Sequence, residues 1–265
     1  SSLNFWRTRM MLLKHGVATD TGNVRPQNED AYVASDHLFA VADGMGGHAA
    51  GEDASRIAVQ VLQKLAPTLA ATDIDDDSVE DLLMHSLHSI DAEIAAMTDE
   101  EIEKRGMGTT LTALLIRGNK IALLHVGDSR CYRLRGNTLE QLSNDHTVIQ
   151  ELLDQGAISE AEAADHPQRS MLTQALRGDG DVTPVLQMYE IKKGDRYLLC
   201  SDGLSGVLTD KEIKIGLKKS DKDEAVKFLN DATYVNGAPD NVTILIADIS
   251  NTATTSSILL GAAHD

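Results

Sequence analysis

The stretch Phe39-Ala40-Val41-Ala42-Asp43-Gly44 is an apolar, strand-like run that stops at an aspartate and a glycine. The same junction recurs where residues 121–126 reach Gly127-Asp128 and where residues 197–201 reach Asp202-Gly203. In a fourth place, Asp240 comes just before the apolar run 242–246. Because neighbouring strands place their ends along a common edge of a sheet, we expect these four aspartates to gather in one place.

A cluster of carboxylates needs a positive charge, because like charges repel one another at short range. Ligand sets made only of oxygen suit hard cations such as Mg²⁺ or Mn²⁺ rather than zinc or copper. A simpler interpretation exists for any single Asp-Gly, since this pair is also a strong hairpin signal. Recurrence of the junction, and the acidic pair Glu29-Asp30 before the strand-like run 31–34, favour the metal centre. The pattern therefore predicts metal-assisted hydrolysis.

Length and composition restrict the kinds of protein that this chain can be. At 265 residues with 42% hydrophobic residues, the chain is long enough for one domain with a full core. Its 24 basic against 41 acidic residues give a formal charge of −17, which argues against binding nucleic acid or an anionic membrane surface. Cys131 and Cys200 lack the spacing of a zinc site or a disulfide framework, so we expect a reducing, cytoplasmic setting. No apolar run has the length needed to span a bilayer.

Hydrophobic spacing indicates alternating blocks of strands and helices. Apolar residues recur at helical intervals over 54–65 and 78–97, and these helices are followed by strand-like runs at 109–117, 120–126 and 130–134. The segment 165–180 is polar and rich in turn residues, and we expect a mobile loop there. Strand blocks that alternate with helix pairs and are joined by hairpin-like turns predict an α+β protein with largely antiparallel sheets.

Six motifs in order along the chain resemble one family. They are Arg25 to Asp30, Val41 to His48, Gly106 to Thr110, Val126 to Arg130, Leu199 to Leu204 and Pro239 to Thr243. Together they resemble the metal-dependent Ser/Thr protein phosphatases of the PPM family (type 2C), in particular the bacterial branch that reverses eukaryotic-like Ser/Thr kinases. The resemblance covers about residues 12–249, and six collinear motifs make it far more specific than any one Asp-Gly.

The resemblance implies a central β-sandwich of two antiparallel sheets flanked by antiparallel helix pairs, with the metals at one end. It implies an N-terminal extension at 1–11, a catalytic domain at 12–249 with a flap at about 145–180, and a C-terminal tail or linker at 250–265. It also implies phosphoprotein partners, including Ser/Thr kinases. We expect a monomer with no bound nucleic acid, working in the cytoplasm either as a free domain or as the cytoplasmic part of a longer, membrane-anchored protein.

The resemblance also assigns metal ligands. Asp43 would bridge two Mn²⁺ or Mg²⁺ ions, and the Gly44 carbonyl, Asp202 and Asp240 would complete the protein ligands. Asp128 matches the ligand of a third, weaker metal site of bacterial members. Glu29 and Asp30 match the acidic pair of the family, which acts through water or from behind the ligands.

The implied reaction is direct attack on phosphorus by a hydroxide that bridges the two metals, without a phosphoenzyme. Arg25 matches the arginine that binds phosphate, since its planar fork suits two phosphate oxygens. Many eukaryotic members have a histidine directly after the Asp-Gly pair, where this chain has Met45. His48 is the candidate general acid in its place, and a metal-bound water is the alternative donor.

Three other functions stay open at this point. A regulatory pseudophosphatase would bind phosphoproteins without hydrolysing them, although it has no need to keep Asp43, Asp202, Asp240 and Arg25. An acidic cation-binding protein would leave Arg25 unexplained. A phosphatase of small molecules would use the same metal chemistry, because that chemistry does not by itself demand a protein substrate.

Overall fold

The structure is a computed structural model that describes residues 11–47, 50–250 and 259–262. Two antiparallel sheets form its centre. The first has the order β1-β11-β10-β7-β8, with β1 Leu12–Asp20, β7 Arg130–Arg135, β8 Thr138–Gln141, β10 Arg196–Cys200 and β11 Val242–Ser250. The second has the order β12-β2-β3-β5-β6-β9, with β2 Asp30–Ala34, β3 Leu38–Met45, β5 Leu111–Arg117, β6 Lys120–Val126, β9 Val185–Glu190 and β12 Leu259–Ala262. A two-residue strand, β4 Gly108–Thr109, pairs with the end of β3.

Seven α-helices and one 3₁₀ helix, Ile102–Lys104, accompany the sheets in the described segments. The α-helices are α1 Ala50–Ala70, α2 Asp76–Glu100, α3 Val148–Asp154, α4 Glu160–Ala164, α5 Asp202–Ser205, α6 Asp210–Leu217 and α7 Lys222–Val235. Helix α2 begins at Asp76, two residues before the predicted helical run, because the carboxylate of Asp75 accepts a hydrogen bond from the Ser78 amide at 2.7 Å and so caps the first turn. None of these helices combines the length and the apolar character needed to cross a bilayer.

Side-chain alternation along the strands builds three apolar layers. On β3, Phe39 and Val41 face the other sheet, whereas Leu38, Ala40 and Ala42 face helices α1 and α2. The outer face of the first sheet is covered in the same way by α6 and α7. The order of layers is therefore helix pair, sheet, sheet, helix pair, which confirms the predicted α+β sandwich.

The ends of the predicted domain are only partly described. Apart from Met11, the predicted N-terminal extension lies outside the described residues. Within the predicted tail, residues 259–262 form β12, which runs antiparallel to β2 with Ala262 opposite Ala31. The division into a domain at 12–249 and a tail stays a prediction.

The flap, residues 145–180, connects β8 to β9 and contains α3 and α4. Its second half, 165–180, has no helix or strand, as the sequence indicates, but two isolated bridges fasten it to the rest of the molecule. Leu172 is bridged to Thr147 at the start of the flap, and Leu176 is bridged to Thr109 in β4. The flap is therefore attached beside the end of β3, where Asp43 lies.

Candidate metal centre

The carboxylates meet because both sheets end at the same side of the sandwich. Asp30 opens β2 and lies directly opposite Asp43 near the end of β3. Asp128 follows the end of β6, and Asp202 follows the end of β10 in the other sheet. One ligand oxygen from each of Asp43, Asp128 and Asp202 lies within 4.8 Å of the others. The structure thus brings together three of the four aspartates at strand ends.

This cluster is electrostatically incomplete without a cation. Burial, followed by the charges of Asp30 and Asp202, raises the pKa of Asp43 well above its usual range. Burial and the charge of Asp202 do the same to the pKa of Asp128. The Oδ1 atoms of Asp30 and Asp202 are buried and have no hydrogen-bond partner among the described residues. A divalent cation bound through oxygen would supply the missing positive charge and a partner for Asp202, so the residues present fit Mn²⁺ or Mg²⁺.

Asp30 lies behind Asp43 and is fixed by the first sheet. Its Oδ2 accepts hydrogen bonds from Ser201 Oγ and from Thr243 Oγ1, each at 2.8 Å. Burial raises the pKa of this carboxyl to about 7. Asp30 therefore links the two sheets beneath the cluster, and this buried position agrees with a residue that supports the metal ligands from behind.

A close approach of backbone to backbone shapes the position of Gly44. A Cβ on Gly44 would lie 1.9 Å from the carbonyl oxygen of Gly51, and a Cβ on Gly51 would lie 2.5 Å from Glu29 Oε2. The end of β3, the start of α1 and the loop before β2 thus touch where only glycine fits. Glu29 is half-buried there, and burial raises the pKa of its carboxyl. Gly44 and Glu29 both line the cleft over the cluster.

Arg25 and Asp240 form one wall of that cleft. Arg25 Nε lies 3.1 Å from Asp240 Oδ1, and the arginine side chain is 58% exposed. Asp240 is thus beside Arg25 and lines the same cleft as the group of three, but it is not one of the three. The ion pair orients the guanidinium while leaving its other nitrogens accessible from the cleft.

The cleft has a volume of about 1090 Å³. Its described lining contains every predicted site residue except Asp30, which is buried behind it, and His48. His48 lies outside the described residues, so its role as a general acid stays a prediction. The flap also lines the cleft, through Pro167, Gln168, Ser170, Met171, Leu172 and Arg177.

Thr110 and Asn241 lie within two of the six motifs, and the sequence alone did not indicate a function for either. Thr110 Oγ1 accepts a hydrogen bond from the Asp43 amide at 3.0 Å and bonds Ser129 Oγ at 2.7 Å. Asn241 Oδ1 accepts from the Glu29 amide at 2.9 Å, and its Nδ2 donates to the carbonyls of Thr21 and Gln27, each at 2.9 Å. These side chains hold the loops that carry the acidic residues. A signal was present in each case, because both polar residues stand next to an apolar strand.

Arg130 anchors the start of the flap. Its Nε and Nη2 lie 2.9 and 2.6 Å from the two carboxylate oxygens of Asp145, forming a bidentate ion pair. Nearby, the Gly127 amide donates to His146 Nδ1 at 3.0 Å. The turn that presents Asp128 is therefore held from the flap side as well. His125, inside β6, is buried and forms hydrogen bonds with Thr112 and with the Asn144 carbonyl, each at 2.9 Å, which gives this histidine a structural role.

Comparison with known proteins agrees with this geometry. The family model for protein phosphatase 2C matches residues 26–237. The serine/threonine protein phosphatase PstP of Mycobacterium tuberculosis is 43% identical over 242 residues, which cover 90% of this chain but only 45% of that relative. The serine/threonine phosphatase stp of Listeria welshimeri is 35% identical over 237 residues, covering 87% of this chain and 93% of the relative.

The solved structures show the same relationship. The crystal structure of the catalytic domain of PstP in complex with two manganese ions has a TM-score of 0.83 and 40% identity, covering 91% of this chain and 99% of that one. The chain spans less than half the length of the full PstP relative. With its sandwich fold, its carboxylate cluster and the family match over most of its length, the chain belongs to the protein phosphatase 2C family.

Proposed function

We propose that residues 12–249 form the catalytic domain of a metal-dependent phosphoprotein phosphatase that hydrolyses phosphoserine and phosphothreonine. The observation that carries this proposal is the group of three carboxylates within 4.8 Å, placed in a cleft whose wall carries an exposed arginine. The names of the relatives, which are serine/threonine phosphatases from several bacteria, support the reaction class.

Each residue has a distinct part in this proposal. Asp43, Asp202 and Asp240, with the Gly44 carbonyl, would hold two core ions, and Asp128 would hold a third, weaker one. When bound, such ions supply Lewis acidity and a water of lowered pKa as the nucleophile. The other acidic residues, Glu29 and Asp30, would support the ligands from behind or through water.

Arg25 would bind the phosphate group of the substrate. Its guanidinium is planar and carries several N–H donors, so it can contact two phosphate oxygens while Nε stays on Asp240. The transition state of phosphoryl transfer carries negative charge spread over those oxygens, and a fixed positive group beside them stabilises it. His48 is the proposed donor of a proton to the leaving serine or threonine oxygen.

The biological setting is also part of the proposal. We expect phosphoprotein substrates that include Ser/Thr kinases, which this enzyme would oppose. Both cysteines are buried free thiols, in keeping with a reducing, cytoplasmic compartment. We also propose that the protein acts as a monomer.

Phosphate release from a phosphothreonine peptide tests the activity. The protein is first treated with a chelator and then assayed before and after Mn²⁺ is added. We expect turnover only with metal in the parent and in Asp231→Ala, a control that removes an exposed aspartate on α7. Asp202→Ala should be folded and inactive. Tight phosphopeptide binding without turnover would instead support a pseudophosphatase, and turnover of p-nitrophenyl phosphate alone would support a small-molecule phosphatase.

A further inference from the structure

Two cationic side chains line the cleft among the described residues, and they differ in their surroundings. Arg25 is paired with Asp240 at 3.1 Å. Arg177, on the flap, is exposed and has no carboxylate within 4.0 Å in the described part of the chain. Its Nη2 lies 3.9 Å from Met45 Sδ. Arg177 therefore presents to the cleft a positive charge that no carboxylate of the described residues pairs with.

The backbone on both sides of Arg177 is held firmly. Before it, Leu176 and Thr109 exchange two hydrogen bonds of 2.9 and 3.0 Å. After it, the amides of Gly178 and Gly180 donate to the two carboxylate oxygens of Asp91, each at 2.8 Å. Asp91 lies on α2 and is only 8% exposed. A carboxylate that accepts two backbone hydrogen bonds in a buried place is a strong anchor.

Glycines make this position possible. Gly178 has φ of +79°, and a Cβ there would lie 2.7 Å from the Ala95 amide nitrogen of α2. A Cβ on Gly108 would lie 2.8 Å from Arg177 Cγ, so the absence of a side chain at Gly108 leaves room for the arginine stem. The side chain of Arg177 thus extends from a fixed backbone and packs its stem against Gly108. Ordering of this kind reduces the entropy lost when a ligand binds.

We propose that Arg177 is a specificity-determining residue that contacts an anionic group of the substrate next to the phosphorylated residue, and that Asp91 is its positioning residue. The anionic group is a carboxylate or a second phosphate, because a guanidinium fork pairs with either. This inference rests on the proposed phosphatase function. Because the protein carries a formal charge of −17, a free cationic side chain at the cleft gives an acidic substrate segment a local favourable contact that most of the surface does not offer.

The test uses phosphothreonine peptides with neutral neighbours, in which one flanking position at a time carries Glu, Lys or a second phosphothreonine. The parent is compared with Arg177→Ala, Arg177→Glu and Asp91→Asn. Arg169→Ala is the matched control, because Arg169 is an exposed flap arginine that does not line the cleft in the described structure and bonds the Ala164 carbonyl. p-Nitrophenyl phosphate, which has no flanking residues, reports the chemical step alone. Steady-state kinetics with Mn²⁺ gives kcat and KM for each pair.

We expect the parent to favour one Glu position over Lys by about three- to fivefold in kcat/KM, the size expected of an ion pair open to solvent. Arg177→Ala should abolish this preference, and Arg177→Glu should reverse it in favour of Lys. Asp91→Asn should raise KM for the Glu peptide without changing turnover of p-nitrophenyl phosphate. Comparison of the Glu and phosphothreonine arms identifies which anion Arg177 prefers.

Two results would overturn the inference. One is a parent that shows no preference for a negative charge at any flanking position. The other is an Arg177→Ala variant that loses activity equally on every peptide and on p-nitrophenyl phosphate, which would make the arginine structural. Both differ from failure of the proposed function, in which the parent would not hydrolyse even the neutral phosphothreonine peptide.

Discussion

Asp202→Asn is expected to have opposite effects on stability with and without metal. The substitution removes one negative charge from the buried cluster while keeping the size of the side chain. In chelated protein the loss of a charge relieves repulsion, so the variant should be more stable than the parent. In Mn²⁺-loaded protein the loss of a ligand weakens binding, so the variant should be less stable.

The geometry sets the size of the first effect. Ligand oxygens of Asp43, Asp128 and Asp202 lie within 4.8 Å of one another. At that separation, two full charges repel by roughly 3.5 kcal/mol if the effective dielectric constant is about 20. The raised pKa of each carboxyl means that partial protonation already relieves much of this repulsion. We therefore expect a gain of roughly 1–2 kcal/mol, or about 2–8 °C in Tm for a domain of this size.

Mn²⁺ sets the size of the second effect. A ligand at about one hundred times its Kd stabilises the folded state by roughly 2.7 kcal/mol. That corresponds to a rise in Tm of about 5–10 °C for the parent. With Asp202 neutralised, most of this rise should disappear. The melting temperatures of parent and variant should thus change order when metal is added.

Thermal unfolding followed by circular dichroism, with chelator or with Mn²⁺, measures all four values. Asp231→Asn serves as the control, because Asp231 is an exposed partner of Lys227 on α7 and should change Tm little in either condition. The reasoning would be refuted if chelated Asp202→Asn were less stable than the chelated parent. A parent whose Tm does not respond to Mn²⁺ would refute the metal centre itself.

Three further predictions concern single features. Arg25→Ala should lower kcat/KM for a phosphothreonine peptide by roughly ten- to a hundredfold, because hydrogen bonds to charged groups contribute about 1.5–3 kcal/mol. Arg25→Lys should have a kcat/KM between those of the parent and Arg25→Ala, and steady-state kinetics measures all three. Gly44→Ala places a Cβ 1.9 Å from the Gly51 oxygen and should destabilise the fold by roughly 1–3 kcal/mol in urea unfolding, whereas Gly47→Ala, with nothing within 4 Å, should have little effect. The pKa of Asp30 is raised from 3.8 to about 7, so its contribution to stability is complete below pH 3.8 and is lost as the pH rises to about 7. The free energy of unfolding of chelated protein, measured in urea, should therefore fall over that pH range. The free energy of unfolding of Mn²⁺-loaded protein should change less.

Much of the local structure follows from the sequence alone. The strand predicted at 120–126 is β6, Lys120–Val126, and the helix predicted at 78–97 lies within α2, Asp76–Glu100. Both predictions are correct because the spacing of apolar residues and the capping of an element depend on only a few neighbouring positions. Short elements with weaker patterns, such as β8 and α4, are not predicted, since their form depends on what they pack against.

The sequence by itself also determined which aspartates stand at the ends of strands, and hence that an oxygen-ligand metal centre was the best hypothesis. Only the tertiary structure decided which of them meet. Asp43, Asp128 and Asp202 form the group of three, while Asp240 pairs with Arg25. The same holds for the anchoring of the flap by Asp91, 87 residues away from Gly178 in sequence. The physical reason is that such contacts depend on how two sheets and their helices pack, and no local preference of the chain encodes that distance.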